Sequence, residues 1–188
     1  MKEGYCLTVI TKDKGRRRVP FDQERLERTV DNVLNDFPNL DSGKYKNRIL
    51  RLIQNQEEFR AAEITDKLIL NALDNISREE PEWTYVASRL FLNKLYKEAA
   101  YNRSYDSDEQ YGSLIGLLKH LGEKGIYSEL ILKEYTKEEI NLAKSYIDPE
   151  KDKLFNYIGL KTLYDRYLAK DYDKRTFELP QERWLIIA

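Results

Sequence analysis

Leu7–Leu26 reads LTVITKDKGRRRVPFDQERL, the residue order of a strand, a tight turn, a basic return strand and a helix start. Leu7–Thr11 is apolar and β-branched, and Asp13-Lys14-Gly15 is turn chemistry. Arg16–Phe21 then returns as the second strand of a hairpin. Pro20 has no N–H to give to a ladder, which assigns it to a sheet edge or a strand end. Asp22 suits a helix N-cap, and Glu24 in the first turn complements the helix dipole. Leu26, Val30, Val33 and Leu34 follow at helical spacing, and Pro38 sets a stop near Asp36. A glycine turn beside three arginines, with a helix start directly after it, has the makings of a phosphate cradle.

The arginines do not all point one way. Side chains alternate along a strand, so Arg16 and Arg18 share one face and Arg17 takes the other. Two readings stand at this point. Paired guanidiniums bind a triphosphate through fixed donors, or charge on an edge strand protects it from pairing with other chains.

Outward from the hairpin, Tyr45, Ile49, Leu52 and Ile53 form a second helical stripe. A third runs through Ile64, Leu68, Leu70, Ala72, Leu73 and Ile76. Pro81 breaks the chain, and a fourth helix begins near Glu82 with Val86, Leu90, Leu92 and Leu95 apolar. The fold class is therefore mainly α, with a small β-hairpin capping four helices over residues 1–101. Asn102–Asp108 is polar and reads as a linker into a second helical region, 102–188. There Ser107 with Gln110, and Thr136 with Glu139, are spaced as capping boxes. Gly122 and Gly125 end the helix of Leu114–Leu121, another helix spans Gly159–Leu168, and Pro180 opens a last apolar segment. That segment stops without a polar cap, which leads us to expect the N-terminal part of a longer protein.

Composition narrows the function. Of 188 residues, 35% are charged and the formal net charge is −1, which argues against a general nucleic-acid binder. No apolar run is long enough to span a bilayer, so no membrane partner is expected and a cytoplasmic location fits. The one cysteine, Cys6, forms no internal disulfide, and no cysteine spacing suits a metal. His120 falls at a helix end, where a cation favours the dipole, and Lys94 and Lys97 near the end of the fourth helix read the same way. Glu79, Glu80 and Glu82 read as solvated acids at a helix start. Of the fourteen tyrosines, most of those in or beside helices (Tyr85, Tyr96, Tyr101, Tyr157, Tyr164, Tyr167) read as core rings with surface hydroxyls, and stacking on a base is open to one or two of them. No paired carboxylates, Ser–His–Asp set or P-loop stands out, so no catalytic residue is assigned.

Three stretches together resemble the large (alpha) subunit of class I ribonucleotide reductase. Val9–Leu26, with KDKGRRRVPFDQERL, is similar to the start of an ATP-cone. Glu80–Ala99, EPEWTYVASRLFLNKLYKEA, is similar to the family's acidic-Pro-acidic-aromatic segment and its Ala-x-Arg-Leu helix. Tyr135–Ala188, holding YTKEEI, DKLFNYIGLKTLYDRYL and ELPQERWLIIA, matches in order and spacing over the longest stretch. The resemblance implies an ATP-cone over 1–101, then the start of a helical domain over 102–188 that leads to a ten-stranded barrel absent from this chain. It implies that the parent reduces ribonucleotides to deoxyribonucleotides by radical chemistry. This piece, without the barrel's catalytic cysteines, is expected to be inactive alone.

The resemblance also implies ATP and dATP as allosteric effectors, and other alpha subunits and a radical-generating beta subunit as partners. By position, Arg17, Arg18, Val19, Pro20, Phe21 and Asp22 correspond to the segment around base and phosphates, with Arg16 beside it. Arg25 takes the place of the basic residue on the first helix. Lys97 matches a lysine late in the fourth helix that reaches the phosphates, and Lys12 the second basic residue of the first strand. Two positions depart from the pattern: Thr11 stands where the family has lysine, and Ala61 where it has threonine. The turn is one residue longer, and Lys12, Lys14 or Arg16 would have to compensate. The alternative is a degenerate cone that has lost its nucleotide and serves only as a subunit-interaction module.

Overall fold

The computed structural model describes residues 9–12, 17–54 and 58–188, with the side chains of Val9, Thr11, Lys12, Arg17 and Gln54 left out. Cys6, the turn Asp13–Gly15 with Lys14, and Arg16 lie outside the described residues. Mainly α-helical, the chain forms two compact units, Met1–Leu90 and Phe91–Ala188.

In the first unit, β1 (Val9–Lys12) pairs antiparallel with β2 (Arg17–Pro20), setting Lys12 opposite Arg17 and Val9 opposite Pro20. A third strand, β3 (Glu58–Arg60), adds parallel to β1, giving the order β2-β1-β3. It is too short to show a period in the sequence. Ile10 faces Val19 on one side and Phe59 on the other, and Ile10 and Phe59 are buried, so this face looks inward. Pro20 ends an edge strand, where its missing N–H costs no ladder bond.

Asp22 opens α1 (Gln23–Leu34), its Oδ1 accepting from Arg25 N–H at 2.9 Å, and Leu26, Val30, Val33 and Leu34 are all buried. In α2 (Ser42–Gln54), Tyr45, Ile49 and Ile53 are buried, but Leu52 is 41% exposed. The third stripe also shifts. α3 (Ala61–Asp74) buries Leu68, Ile69 and Ala72, and leaves Leu70 59% exposed. At 100° per residue Leu70 lies across the helix from Leu68, whereas Ala72 returns to its side. Ile76 falls beyond the helix and is exposed. The Tyr45 ring stacks on Trp83 at 5.0 Å, and its hydroxyl donates to the Leu68 carbonyl at 2.6 Å.

α4 (Trp83–Arg103) buries Val86, Leu90, Leu92 and Leu95 as the spacing predicts. It runs into the segment read as a linker: Asn102 and Arg103 are its last turn, and Ser104 ends it at φ 57°. Nor do Ser107 and Gln110 form a capping box. Asp106 caps a single 3₁₀ turn at Ser107–Glu109, and Ser113 caps α5 (Leu114–Glu123), its Oγ accepting from Gly116 N–H at 3.1 Å. α5 closes in a Schellman motif: Gly125, at φ 67°, donates to Gly122 O at 2.8 Å, and Ile126 donates to Leu121 O at 2.9 Å. Then come α6 (Leu130–Glu134), α7 (Lys137–Lys144) with the Thr136–Glu139 capping box formed, and α8 (Pro149–Asp152). α9 (Tyr157–Arg166) starts two residues before Gly159, because Asn156 supplies the cap, and ends before Leu168. α10 (Pro180–Ile187) has Pro180 in its first turn.

Candidate functional site

The first candidate is the hairpin and the helix that leaves it. The strand register gathers the backbones of Thr11, Lys12, Arg17 and Arg18 at one end of the sheet, with Thr11 between Arg18 and Arg60. Arg60 immediately precedes Ala61, the first residue of α3, so Ala61 belongs to that end. Pro20, Phe21, Asp22 and Arg25 lie toward the other end, one strand length or about 10 Å away. Arg18 is 71% exposed and pairs with Glu58 on β3 at 3.3 Å. Val19 and Phe21 are half-buried and Pro20 is exposed. Asp22 spends its carboxylate on the cap. Arg25 is exposed in the first turn of α1, where a cation opposes the dipole, so local helix energetics do not account for it. Ala61 offers no hydroxyl to a ligand, and the start of α3 relies instead on Glu63 accepting from Arg60 N–H at 3.0 Å.

Lys97 belongs to the second unit and is exposed on α4. α4 continues six residues past it and carries Arg103 in its last turn. Dipole compensation therefore falls to Arg103 rather than to Lys94 or Lys97.

The second candidate is a set of buried acids that no sequence motif announced. Asp152, Glu178 and Glu182 are all at most 1% exposed. Arg103 Nη1 donates to both Glu182 oxygens at 2.8 and 2.9 Å, and Arg103 Nη2 donates to Ser113 O at 2.7 Å. Burial pushes the Glu182 carboxyl up to about 7, against the pull of Arg103. Glu178 accepts from the Tyr127 hydroxyl and from Ala169 N–H, and burial raises it as well. Asp152 Oδ2 accepts from the Tyr96 and Tyr111 hydroxyls at 2.6 and 2.5 Å, and its Oδ1 from Gln181 Nε2 at 2.9 Å. Burial also raises Asp152, and it drives both phenols well above the usual tyrosine range. Each acid accepts from at least two protein donors, so the cluster ties together the segments that carry them. The one clue in the sequence is Glu182, an acid three residues after Leu179 at a helix start, where it accepts from Leu179 N–H at 3.0 Å.

Other expectations change. His120 stacks on Phe177 at 4.4 Å, its Nε2 is buried without a hydrogen bond among the described residues, and burial lowers its pKa. It lies in the last turn of α5 as the sequence suggests, but burial against the ring disfavours the cation that would complement the dipole. Tyr85, Tyr101 and Tyr167 are exposed rings, not core. Glu80 is not merely solvated: its Oε2 accepts from Trp83 Nε1 at 3.1 Å. An apolar cavity of about 520 Å³ in the second unit is lined by Tyr146, Leu154, Phe155, Trp184 and Leu185, with Asp152 and Gln181 also on its wall. No described helix is long and apolar enough to cross a membrane.

Comparison with known proteins agrees with this helical architecture. Residues 153–188 match the family described as ribonucleotide reductase, all-alpha domain. The ribonucleoside-diphosphate reductase subunit alpha of Helicobacter pylori is 31% identical over 183 residues, covering 97% of this chain and 22% of that protein. The Escherichia coli ribonucleoside-diphosphate reductase 1 subunit alpha is 26% identical over 183 residues, covering 97% of this chain and 23% of its own length. A Synechocystis subunit alpha is 35% identical over 133 residues. The chain thus spans between a fifth and a quarter of the first two relatives.

Proposed function

Because this chain belongs to the ribonucleotide reductase alpha-subunit family, as a homologue of its N-terminal part, we propose that its first unit is an ATP-cone that senses ATP and dATP. The observation that carries this reading is the hairpin ending in Pro20-Phe21-Asp22, whose Asp caps α1 and sets Arg25 exposed in the first turn. Arg17, Arg18 and Arg25 supply charge for phosphates, and Val19, Pro20 and Phe21 supply apolar surface for a base.

An effector moves an equilibrium only by its differential affinity for the two states. ATP and dATP differ by one ribose hydroxyl, so a polar contact near the sugar must convert that difference into a change of assembly. The partners in that assembly are other alpha subunits and the beta subunit, in the cytoplasm. The parent reduces ribonucleotides to deoxyribonucleotides, and this stretch regulates without contributing a catalytic residue.

Calorimetric titration of the chain with ATP and, separately, dATP tests the reading. Saturable binding weakened by Arg25→Ala and by Arg18→Ala is the expected result, and no heat from either nucleotide at millimolar concentration refutes it. Two observations favour a second reading, a cone retired to subunit contacts: Ala61 opens α3 without a hydroxyl, and Glu58 already neutralises Arg18. Under that reading the titration is silent, and thermal melting does not respond to ATP.

A further inference from the structure

The first turn of α10 is fastened to the second unit through one glutamine and one acid. Gln181 Nε2 donates to Asp152 Oδ1 at 2.9 Å and to Asp148 O at 2.7 Å, while Gln181 Oε1 accepts from Asp148 N–H at 3.0 Å. The Gln181 backbone N–H donates to the Tyr111 hydroxyl at 3.2 Å, and that hydroxyl itself donates to Asp152. Asp152 is 1% exposed, yet its hydrogen-bond partners are two phenols and an amide, all neutral. Its charged neighbours from α8 and the turn before it are Asp148, Glu150 and Lys151. Lys153 follows Asp152 directly. The hydrogen-bond partners of the acid from α4 and the segment before α5 are Tyr96 and Tyr111, and from α10 Gln181, which Glu182 and Arg183 follow in the same helix. The cations of the other buried acids are elsewhere: Arg103 is on Glu182, and Arg183 is 3.9 Å from Glu178.

A carboxylate buried without a cation loses hydration that neutral donors only partly replace, so burial favours its protonated form. We infer that Asp152, held by Tyr96, Tyr111 and Gln181 on the wall of the apolar cavity, is a proton-linked clasp that docks the first turn of α10. When the turn lifts, the carboxyl meets water through the cavity and regains ordinary acidity. Docking therefore takes up a proton. It is tightest below the usual Asp range and weakens as the pH rises through the raised value of the docked acid.

The test is amide hydrogen exchange of the intact chain as a function of pH, corrected for intrinsic exchange, with α1 and α3 as internal references. The expected result is that protection of residues 180–188 falls by up to about tenfold per pH unit while Asp152 ionises, with no such trend in α1. Asp152→Asn, which keeps an acceptor and cannot ionise, is expected to make the profile shallower, the remaining trend belonging to the buried Glu182 of the same turn. Corrected protection of α10 that is independent of pH, or a slope as steep in Asp152→Asn as in the unaltered chain, overturns the clasp. Should that variant not fold, the carboxyl carbon resonance of Asp152 in the unaltered chain decides. Titration above the usual Asp range supports the inference, and titration within that range overturns it.

Discussion

The two units solve the same packing problem in opposite ways. Among the described residues of Met1–Leu90 the buried polar side chains, Asn71 and Ser88, are uncharged, and the acids of the ion pairs, such as Asp31, Asp36, Glu58 and Asp74, are about half exposed. In Phe91–Ala188 the charged residues Asp152, Asp171, Glu178 and Glu182 are buried, while Leu142, Tyr146, Leu154, Ile158 and Trp184 lie exposed. The first unit keeps its charge where a ligand can reach it. The second spends charge on fixing its own last helix, and offers apolar surface outward.

The sharpest way to break this contrast is to remove a buried partner. Arg103→Ala leaves Glu182 without its cation, Oε1 without a donor and Oε2 with only the Leu179 N–H, and at pH 8 is expected to cost the second unit about 3–5 kcal/mol. Denaturant titration followed by hydrogen exchange in each unit measures it, and equal loss in α1–α3 contradicts the contrast. Acidity divides the units next. A carboxyl raised by burial contributes stability that is complete below the ordinary Glu value and is lost as pH climbs through about 7. The second unit is accordingly expected to melt at lower temperature at pH 8 than at pH 5.5, and Glu182→Gln to reduce that difference.

Smaller effects belong to the first unit. Asp22→Ala removes the α1 cap and is expected to lower its stability by about 1 kcal/mol, read by denaturation of the first unit. Arg18→Ala breaks an exposed pair and is expected to change stability by less than about 1 kcal/mol. If the cone reading holds, the same substitution weakens ATP binding, so calorimetry on a variant of unchanged melting temperature separates a ligand role from an edge-strand role.

Much of the first unit was legible because its signals are local. Asp22 caps three residues ahead, and Leu26, Val30, Val33 and Leu34 repeat at one helical period. Leu52 and Leu70 misled because a leucine near a stripe counts as part of it unless the helix phase is known. The strand β3 and the last turn of α4 could not be read, since each depends on distant residues: β3 on β1, and Arg103 on Glu182, which lies 79 positions away. The acid cluster was illegible for the same reason, joining residues of α4, α8 and α10 and of the segments between helices. For the hairpin site, the register is now known from Val9 to Lys12 and from Arg17 to Pro20. The nucleotide assignment continues to rest on resemblance in the sequence.

The turn that ends α5 carries a consequence about handedness. Gly125 sits at φ 67°, and a Cβ there would meet no atom within 4 Å. An L-residue is resisted by its own backbone, not by its surroundings. The mirror-image residue has no such quarrel: D-alanine introduced at 125 by chemical synthesis fits the turn as built and restricts the unfolded chain. It is expected to stabilise the second unit by about 0.4–1 kcal/mol, where L-alanine destabilises it. At this position the chain uses an achiral residue to do the work of a D-amino acid.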